Sequence, residues 1–256
     1  MSKTRDLFHS ALGRISLARW TKQAQFVSAM KISQVRRLSA AAIMLRVQLD
    51  RFLRDAEDRL TIPRIGSNSF KKHRGSDWAW RADGWAWRSE RIGIAGAQNG
   101  DWLAKDLQIF HDCSDSEICI RQLRNGSEHD LAPFSFRMDI FGFDGNFLSF
   151  VQELPESAIT GLRKHHLVRM DTRIEVEQPI KIFARLNVQH GPNTEQVVRE
   201  IQTEHVASTV EFDLAMANIN ENRIERAWVD LIFDDPAMTQ LTIREMTFSR
   251  SPRAEL

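Results

Sequence analysis

Arginine, asparagine, aspartate and tryptophan side chains recur at alternate positions of three stretches, residues 134–143, 180–189 and 227–234. Successive side chains of a β-strand point to opposite faces, so the apolar positions face a core and the polar ones face away from it. Planar Arg and Asn donors beside aromatic rings suit the hydroxyl edges and apolar faces of sugars. Arg and Trp are equally typical of protein-partner hot spots. The candidate ligand-binding residues are Arg137, Arg185, Asn187, Trp228 and Asp230.

The same polar face also has a structural interpretation. The N-terminal part of the chain is basic, and a helix lying over the face would bring its arginines to acidic residues there. In that arrangement the face is covered by the chain itself and binds no ligand. The acidic residues that would meet the helix are Asp139, Asp171, Glu175 and Asp230.

No set of residues in the sequence predicts catalysis, a metal site or a cofactor. His165 and His166 are adjacent, and adjacent strand residues point to opposite faces, which is poor geometry for metal ligands. His111-Asp112-Cys113 has the residue types of a nucleophile and its base, but neighbouring side chains do not assemble that geometry. Phosphate-binding, dinucleotide-binding and zinc signatures are absent from the sequence. We therefore expect no catalytic residue, no metal and no cofactor, and a glycan-active enzyme is the third alternative.

Four of the seven tryptophans lie within residues 75–90, in a chain without tyrosine. The motif WAWR at residues 78–81 nearly repeats at residues 85–88. In an extended chain the two tryptophans of each motif share a face. We predict that both pairs pack on the following domain as a hydrophobic clasp, because four exposed indoles would form an aggregation-prone patch. The alternative is an exposed platform for a ligand.

The hydrophobic pattern has a period of two from about residue 107. It predicts a mainly-β fold, an antiparallel jelly-roll-like β-sandwich over residues 107–256, preceded by a linker and Trp-rich clasp at 63–106. Asp144-Gly145 is the expected hairpin turn, and one short helix is expected near 156–164. The predicted strands are 107–112, 117–123, 134–143, 146–154, 168–177, 180–189, 210–216, 227–234 and 241–250.

Residues 1–62 read as a basic amphipathic helical arm. Apolar residues at spacings of three and four over 35–56 predict a helix, which Ile62-Pro63 ends. Residues 1–91 hold nineteen Lys and Arg against eight Asp and Glu. Three alternatives are open for this arm. It packs on the rest of its own chain, it pairs with a second copy as a coiled coil, or it binds an anionic membrane. Nucleic-acid binding is not expected, because the basic run at 71–74 belongs to no recognisable binding module.

The sequence favours a cytoplasmic location, peripheral to the inner membrane if the arm binds lipid. Basic residues interrupt the first thirty positions, so no signal peptide is predicted. The apolar run at 40–45 is too short to span a bilayer. Cys113 and Cys119 are too few for a disulfide framework.

Several stretches resemble known families. The C-terminal segment WVDLIFDDPAMTQLTIREMTFSR resembles the closing strands of the galactose-binding-like jelly roll common in carbohydrate-binding modules. The stretches FHDC, DLAPFSFRMDIFGFDGNFLS, ARLNVQHGPNTEQ and SPRAEL are similar to an uncharacterised alphaproteobacterial family of unknown function. That second resemblance covers residue 75 to the end, implies a bacterial cytoplasmic protein and assigns no activity. The leading hypothesis is a non-catalytic binding module for a glycan or protein partner, and the alternative is a peripheral scaffold built on the arm.

Overall fold

The computed structural model describes residues 15–61, 70, 72–127 and 130–253. The chain divides into two compact units, Met1–Ala56 and Glu57–Leu256. The predicted helix end at Ile62-Pro63 and the linker from there to residue 69 lie outside the described residues.

The described part of the first unit, from residue 15 onward, is helical. Helix α1 is described from residue 15 to residue 25, a 3-10 turn follows at Val27–Ala29, and helix α2 runs over Ile32–Thr61. Ala, Leu and Arg make up half of the 30 residues of α2, and these are among the best helix formers. Among the described residues, no helix is both long enough and apolar enough to cross a membrane.

The second unit is built from two antiparallel β-sheets. The seven-stranded sheet has the order β11-β8-β13-β6-β5-β2, and β1 pairs with β13 past the end of β6. The six-stranded sheet has the order β10-β9-β12-β7-β4-β3. The predicted mainly-β, antiparallel jelly-roll-like sandwich is therefore confirmed. The strands are β1 Trp78–Arg81, β2 Gly93–Ala95, β3 Trp102–Ala104, β4 Leu107–His111, β5 Ile118–Arg124, β6 Phe134–Ile140, β7 Leu148–Glu153, β8 His166–Val176, β9 Lys181–His190, β10 Asn193–Ile201, β11 Ala207–Asp213, β12 Ile224–Asp234 and β13 Thr239–Pro252.

Every predicted strand overlaps a strand of the structure, and the helix expected near 156–164 is the short helix α4, Glu156–Ile159. Three further strands, β1 to β3, come from residues 63–106, so the sheets also take strands from the segment assigned to the linker and clasp. The pattern also missed β10. This strand lies at the edge of its sheet with most of its residues exposed, so it carries no alternation of buried and exposed positions.

The predicted hairpin turn at Asp144-Gly145 is wrong, because β6 and β7 lie in different sheets. The segment between them crosses from one sheet to the other. The carboxylate of Asp112 holds this crossing by accepting hydrogen bonds from the backbone N–H groups of Asn146, at 2.7 Å, and Phe147, at 3.0 Å. The local sequence does not say which strands such a segment joins.

The four clustered tryptophans differ in their surroundings. Trp78 and Trp80 share a face of β1 as expected, with ring centroids 6.5 Å apart, and both pack on the core. Trp85 lies in the short helix α3, Asp83–Ala86, and is fully buried between the sheets. The prediction that Trp85 and Trp87 share a buried face is wrong, since α3 turns the chain and leaves Trp87 39% exposed.

Trp85 connects the two sheets. Its ring contacts Phe136 of one sheet edge to face, with centroids 5.0 Å apart, and Phe150 of the other at 6.3 Å. Its indole Nε1–H donates to the carbonyl oxygen of Ile243 at 2.9 Å, which satisfies the one polar group that the ring buries. Gly84 beside it has no room for a side chain, because a Cβ there would come within 2.8 Å of the Phe136 ring.

Replacing Trp85 with alanine should lower the free energy of unfolding by about 3–5 kcal/mol, because it removes a large buried ring and leaves a cavity. Trp87→Ala is the matched control and should change stability far less, since that ring is partly exposed. Urea denaturation of both variants measures the difference. Equal losses for the two would contradict the packing described.

A buried arginine attaches β1 and α4 to β13. Arg250 donates to both carboxylate oxygens of Asp77 at 3.1 Å and to the carbonyl oxygens of Ala158 and Thr160 at 2.9 Å. Burial alone would raise the pKa of Asp77, but the hydrogen bonds and charge of Arg250 outweigh it and lower that pKa. Burial, together with the Arg250 charge, lowers the pKa of neighbouring His166.

The lowered pKa of His166 predicts a loss of stability on mild acidification. Below the ordinary pKa of 6.5, the unfolded chain takes up a proton at this histidine that the folded chain resists. Asp77 stays ionised in that range because its pKa is also lowered. The free energy of unfolding should therefore fall more between pH 7.5 and pH 5.5 in the wild type than in His166→Gln. Parallel pH profiles for the two proteins would refute this assignment.

Candidate functional site

The outer face of the six-stranded sheet carries an open groove of about 570 Å³. It crosses the strands from β9 to β4, so one antiparallel sheet places side chains from four strands along a single surface. We call this surface the sheet groove. Its lining residues are Gln108, Phe110, Phe147, Ser149, Val151, Glu153, Arg185, Arg226, Trp228, Asp230 and Ile232.

A buried carboxylate, Asp230, lies at the floor of the sheet groove. Asp230 is 3% exposed and Asn187 is 1% exposed, although both lie on the polar side of their strands. Arg185 Nε donates to Asp230 Oδ2 at 2.8 Å, and Asn187 Nδ2 donates to the same oxygen at 3.0 Å. The pairing of β9 with β12 places Arg185 directly opposite Asp230. A buried charge needs such partners, because an isolated one is strongly disfavoured away from water.

A second ion pair, between Arg226 and Glu153, lies beside the indole ring of Trp228 in the sheet groove. Arg226 donates from Nε to Glu153 Oε2 at 2.8 Å, and its Nη2 also bonds the other carboxylate oxygen. This hydrogen bond raises the pKa of Arg226. The Arg226 guanidinium carbon lies 4.8 Å from the ring centroid of Trp228, in cation–π contact. Glu153 thus pairs with Arg226, and the Arg226 guanidinium packs against the ring of Trp228.

Apolar surface completes the sheet groove. Phe110 and Trp228 are half-buried, and Phe147 is exposed. Val151 and Ile232 lie among them on adjacent strands. The arrangement therefore presents three aromatic rings together with charged donors and acceptors that are held in place by their neighbours.

The structure brings together four of the five predicted site residues. Arg185, Asn187, Trp228 and Asp230 lie on the paired strands β9 and β12. Arg137 does not join them, because β6 belongs to the seven-stranded sheet. The alternation of the sequence identified each polar face correctly but gave no information on which strands are neighbours.

Arg137 belongs instead to a charge cluster on the other sheet. Its Nε donates to Asp139 Oδ1 at 2.8 Å, and Arg121 Nη2 donates to Asp139 Oδ2 at 2.7 Å. Burial alone would raise the pKa of Asp139, but the two arginines outweigh it and lower that pKa. Arg137 therefore provides a control position with the same chemistry outside the sheet groove.

Sequence reasoning missed several residues of the sheet groove. Gln108 and Phe110 alternate with buried residues of β4 and were identifiable as outward-facing. No pattern in the sequence identifies Glu153 and Arg226 as an ion pair of the groove, because the two residues come together only through the pairing of β7 with β12. Phe147 falls within the predicted strand 146–154, but in the structure it lies in the crossing between the sheets, just before β7 begins at Leu148.

A second cleft, of about 600 Å³, opens near the β3 edge of the six-stranded sheet. Two exposed tryptophans, Trp87 and Trp102, line it. The buried side chain of Gln122 holds the loop that carries Trp87, accepting from Ser89 N at 2.8 Å and donating to Gly84 O at 2.7 Å. This cleft therefore offers two exposed indoles outside the sheet groove, against which binding at Trp228 can be compared.

The histidines and cysteines considered above have structural surroundings. His111 Nε2 lies 2.8 Å from the carbonyl oxygen of Ala97. Burial raises the pKa of the Cys113 thiol. The rings of His165 and His166 lie 4.3 Å apart and not on opposite faces as expected, because His165 precedes β8. Within the described residues, no group of three or more His, Cys, Asp or Glu side chains is placed to hold a metal ion.

The chain belongs to the family of unknown function DUF6478, whose profile matches residues 1–256. No curated protein matches the sequence.

Among solved structures, the chain is similar to carbohydrate-binding modules. It has 11% identity and a TM-score of 0.40 to a family 11 module from Clostridium thermocellum in complex with a β-1,3-1,4-mixed-linked tetrasaccharide, covering 65% of this chain and 100% of that one. A xylan-binding CBM22-1 domain from Paenibacillus barcinonensis has 8% identity and a TM-score of 0.37, with coverages of 72% and 100%. The enzymatically active domain of bacteriophage CBA120 tailspike protein 4 has 7% identity and a TM-score of 0.41. There the match covers 56% of this chain and only 19% of the tailspike chain.

Asp230→Ala should destabilise the protein by about 1–3 kcal/mol, because Arg185 and Asn187 lose their shared acceptor at a buried position. Asp234→Ala is the matched control, since Asp234 is exposed at the end of the same strand. Chemical denaturation measures both. A loss at Asp230 no larger than at Asp234 would show that the buried carboxylate does not organise the floor of the sheet groove.

Proposed function

We propose that this protein is a non-catalytic glycan-binding module and that the sheet groove is its binding site. The observation that carries the proposal is the combination of aromatic rings and fixed polar groups on one open surface. Trp228 and Phe147 offer apolar surface, while Arg185 and Glu153 offer a donor and an acceptor within the same groove. Sugars present both kinds of surface, an apolar ring face and a rim of hydroxyl groups.

Preorganisation supports this proposal. Arg185 and Arg226 are each held by a carboxylate, so they need not be ordered when a ligand arrives. Ordering a long side chain on binding costs about 0.5–1.5 kcal/mol, and a groove that is already ordered avoids that cost. The rigid sheet beneath further limits movement of the site.

The charge of the sheet groove favours neutral glycans. Arg185 pairs with Asp230 and Arg226 pairs with Glu153, so its four charged side chains cancel in pairs. A polyanion such as a sulfated or uronic polysaccharide would find no net positive charge there. Hydroxyl groups of a neutral sugar can instead bond the remaining donor and acceptor positions of these ion pairs.

The experiment is affinity electrophoresis of the full chain through gels containing a β-glucan, a xylan or an α-glucan, with an anionic polysaccharide as the comparison. We expect retardation by at least one neutral polysaccharide. Trp228→Ala should weaken that binding about tenfold or more, which corresponds to about 1.4 kcal/mol. Arg185→Ala should also weaken it.

Two matched controls accompany these variants. Trp102→Ala removes an exposed indole outside the sheet groove, and Arg137→Ala removes an arginine of the other sheet. Both should keep the retardation of the wild type. Unchanged binding by Trp228→Ala and Arg185→Ala would refute the site. Capture of a protein by the sheet groove with no binding to any polysaccharide would replace the glycan with a protein partner.

A further inference from the structure

Helix α2 exposes a stripe of large apolar side chains. Ile32, Ile43 and Val47 are 74%, 55% and 52% exposed. Spacings of eleven and four residues place them on one side of a helix with 3.6 residues per turn. We call these three residues the outer stripe. An open groove of about 610 Å³, lined mainly by apolar side chains, lies beside it.

The apolar residues at spacings of three and four that predict the helix begin on a different side of α2. Val35, Leu38 and Ala42 are half-buried, in contrast to the outer stripe. Further along the same side, Leu49 and Phe52 are 50% and 66% exposed, so only the first part of this side is partly covered and the exposed apolar surface of α2 extends beyond the outer stripe.

The charged residues over 15–49, the range that carries the outer stripe, are all basic, and Asp50 is the first acidic residue after them. Residues 15–49 contain six basic residues and no acidic residue. Arg36 lines the groove beside the outer stripe. Lys and Arg side chains extend their charged ends to the water interface while their hydrocarbon stems lie along apolar surface. Exposed apolar side chains with flanking basic residues are the composition of helices that lie in the plane of a membrane interface.

We propose that the first unit binds the surface of an anionic phospholipid bilayer, with the outer stripe of α2 inserted among the lipid headgroups. The basic residues contact the negatively charged headgroups, and the apolar side chains leave water. This proposal is independent of the sheet groove, so either can fail without the other.

Charge complementarity favours a lipid surface over a second copy of the chain. Two copies meeting along residues 15–49 would bring six basic residues against six, with no acidic residue between those positions in either copy. Coiled-coil pairs of this kind normally carry opposite charges beside the apolar seam. An anionic bilayer supplies the opposite charge over the whole surface.

The experiment is flotation of the full chain with vesicles of phosphatidylcholine alone or of phosphatidylcholine mixed with phosphatidylglycerol. The protein should float with the anionic vesicles only, and added salt should reduce the bound fraction because it screens the charges. Ile43→Ser/Val47→Ser should lower the partition coefficient about tenfold or more. The matched control Gln34→Ser/Gln48→Ser, on the same helix, should bind as the wild type does.

A second variant tests the charge separately from the apolar stripe. Arg36→Gln/Arg37→Gln retains the outer stripe and should also lose binding to anionic vesicles about tenfold. Circular dichroism checks that each variant keeps the wild-type helix content. No flotation of the wild type with anionic vesicles would overturn the proposal. A dimer in sedimentation equilibrium that Ile43→Ser/Val47→Ser converts to a monomer, without any flotation, would assign the surface to a second copy instead.

Discussion

The sheet groove depends on one buried carboxylate. Asp230 lies on the outer face of a sheet and is nevertheless shielded from water, so it must be compensated by neighbours that donate to it. Arg185 and Asn187 supply those donors from the adjacent strand. This requirement fixes the side chains on β9 relative to those on β12. The resulting polar cluster lies at the base of the groove, beside the aromatic rings.

The hydrophobic core packs against the inner face of the same two strands, β9 and β12. Leu186 of β9 and Val229 and Leu231 of β12 are buried between the sheets and alternate with the residues of the groove. A shift of one residue in strand pairing would therefore expose this core and bury the polar side chains. The packing of the core and the ion pair of Arg185 with Asp230 therefore require the same register. That coupling explains how an open surface keeps an ordered arrangement of side chains.

Local alternation made much of this molecule predictable. Strands β8 and β9 followed directly from it, and so did the outward direction of Arg185, Asn187 and Trp228. The partners of a strand are not a local property, which is why Arg137 was grouped with residues of the other sheet. The burial of Trp85 and exposure of Trp87 depend on a single helical turn within a motif that reads equally well as extended chain. The ion pair of Glu153 with Arg226 arises only when β7 meets β12.

The most direct test of glycan binding at the sheet groove uses the indole N–H signals of the seven tryptophans in a two-dimensional NMR spectrum. The titrant is a soluble oligosaccharide of the neutral polysaccharide that binds most tightly. The signal of Trp228 should shift progressively to saturation, while the signal of buried Trp85 should not move. A saturating shift at Trp87 or Trp102 with no change at Trp228, or no shift at any indole, would contradict the account.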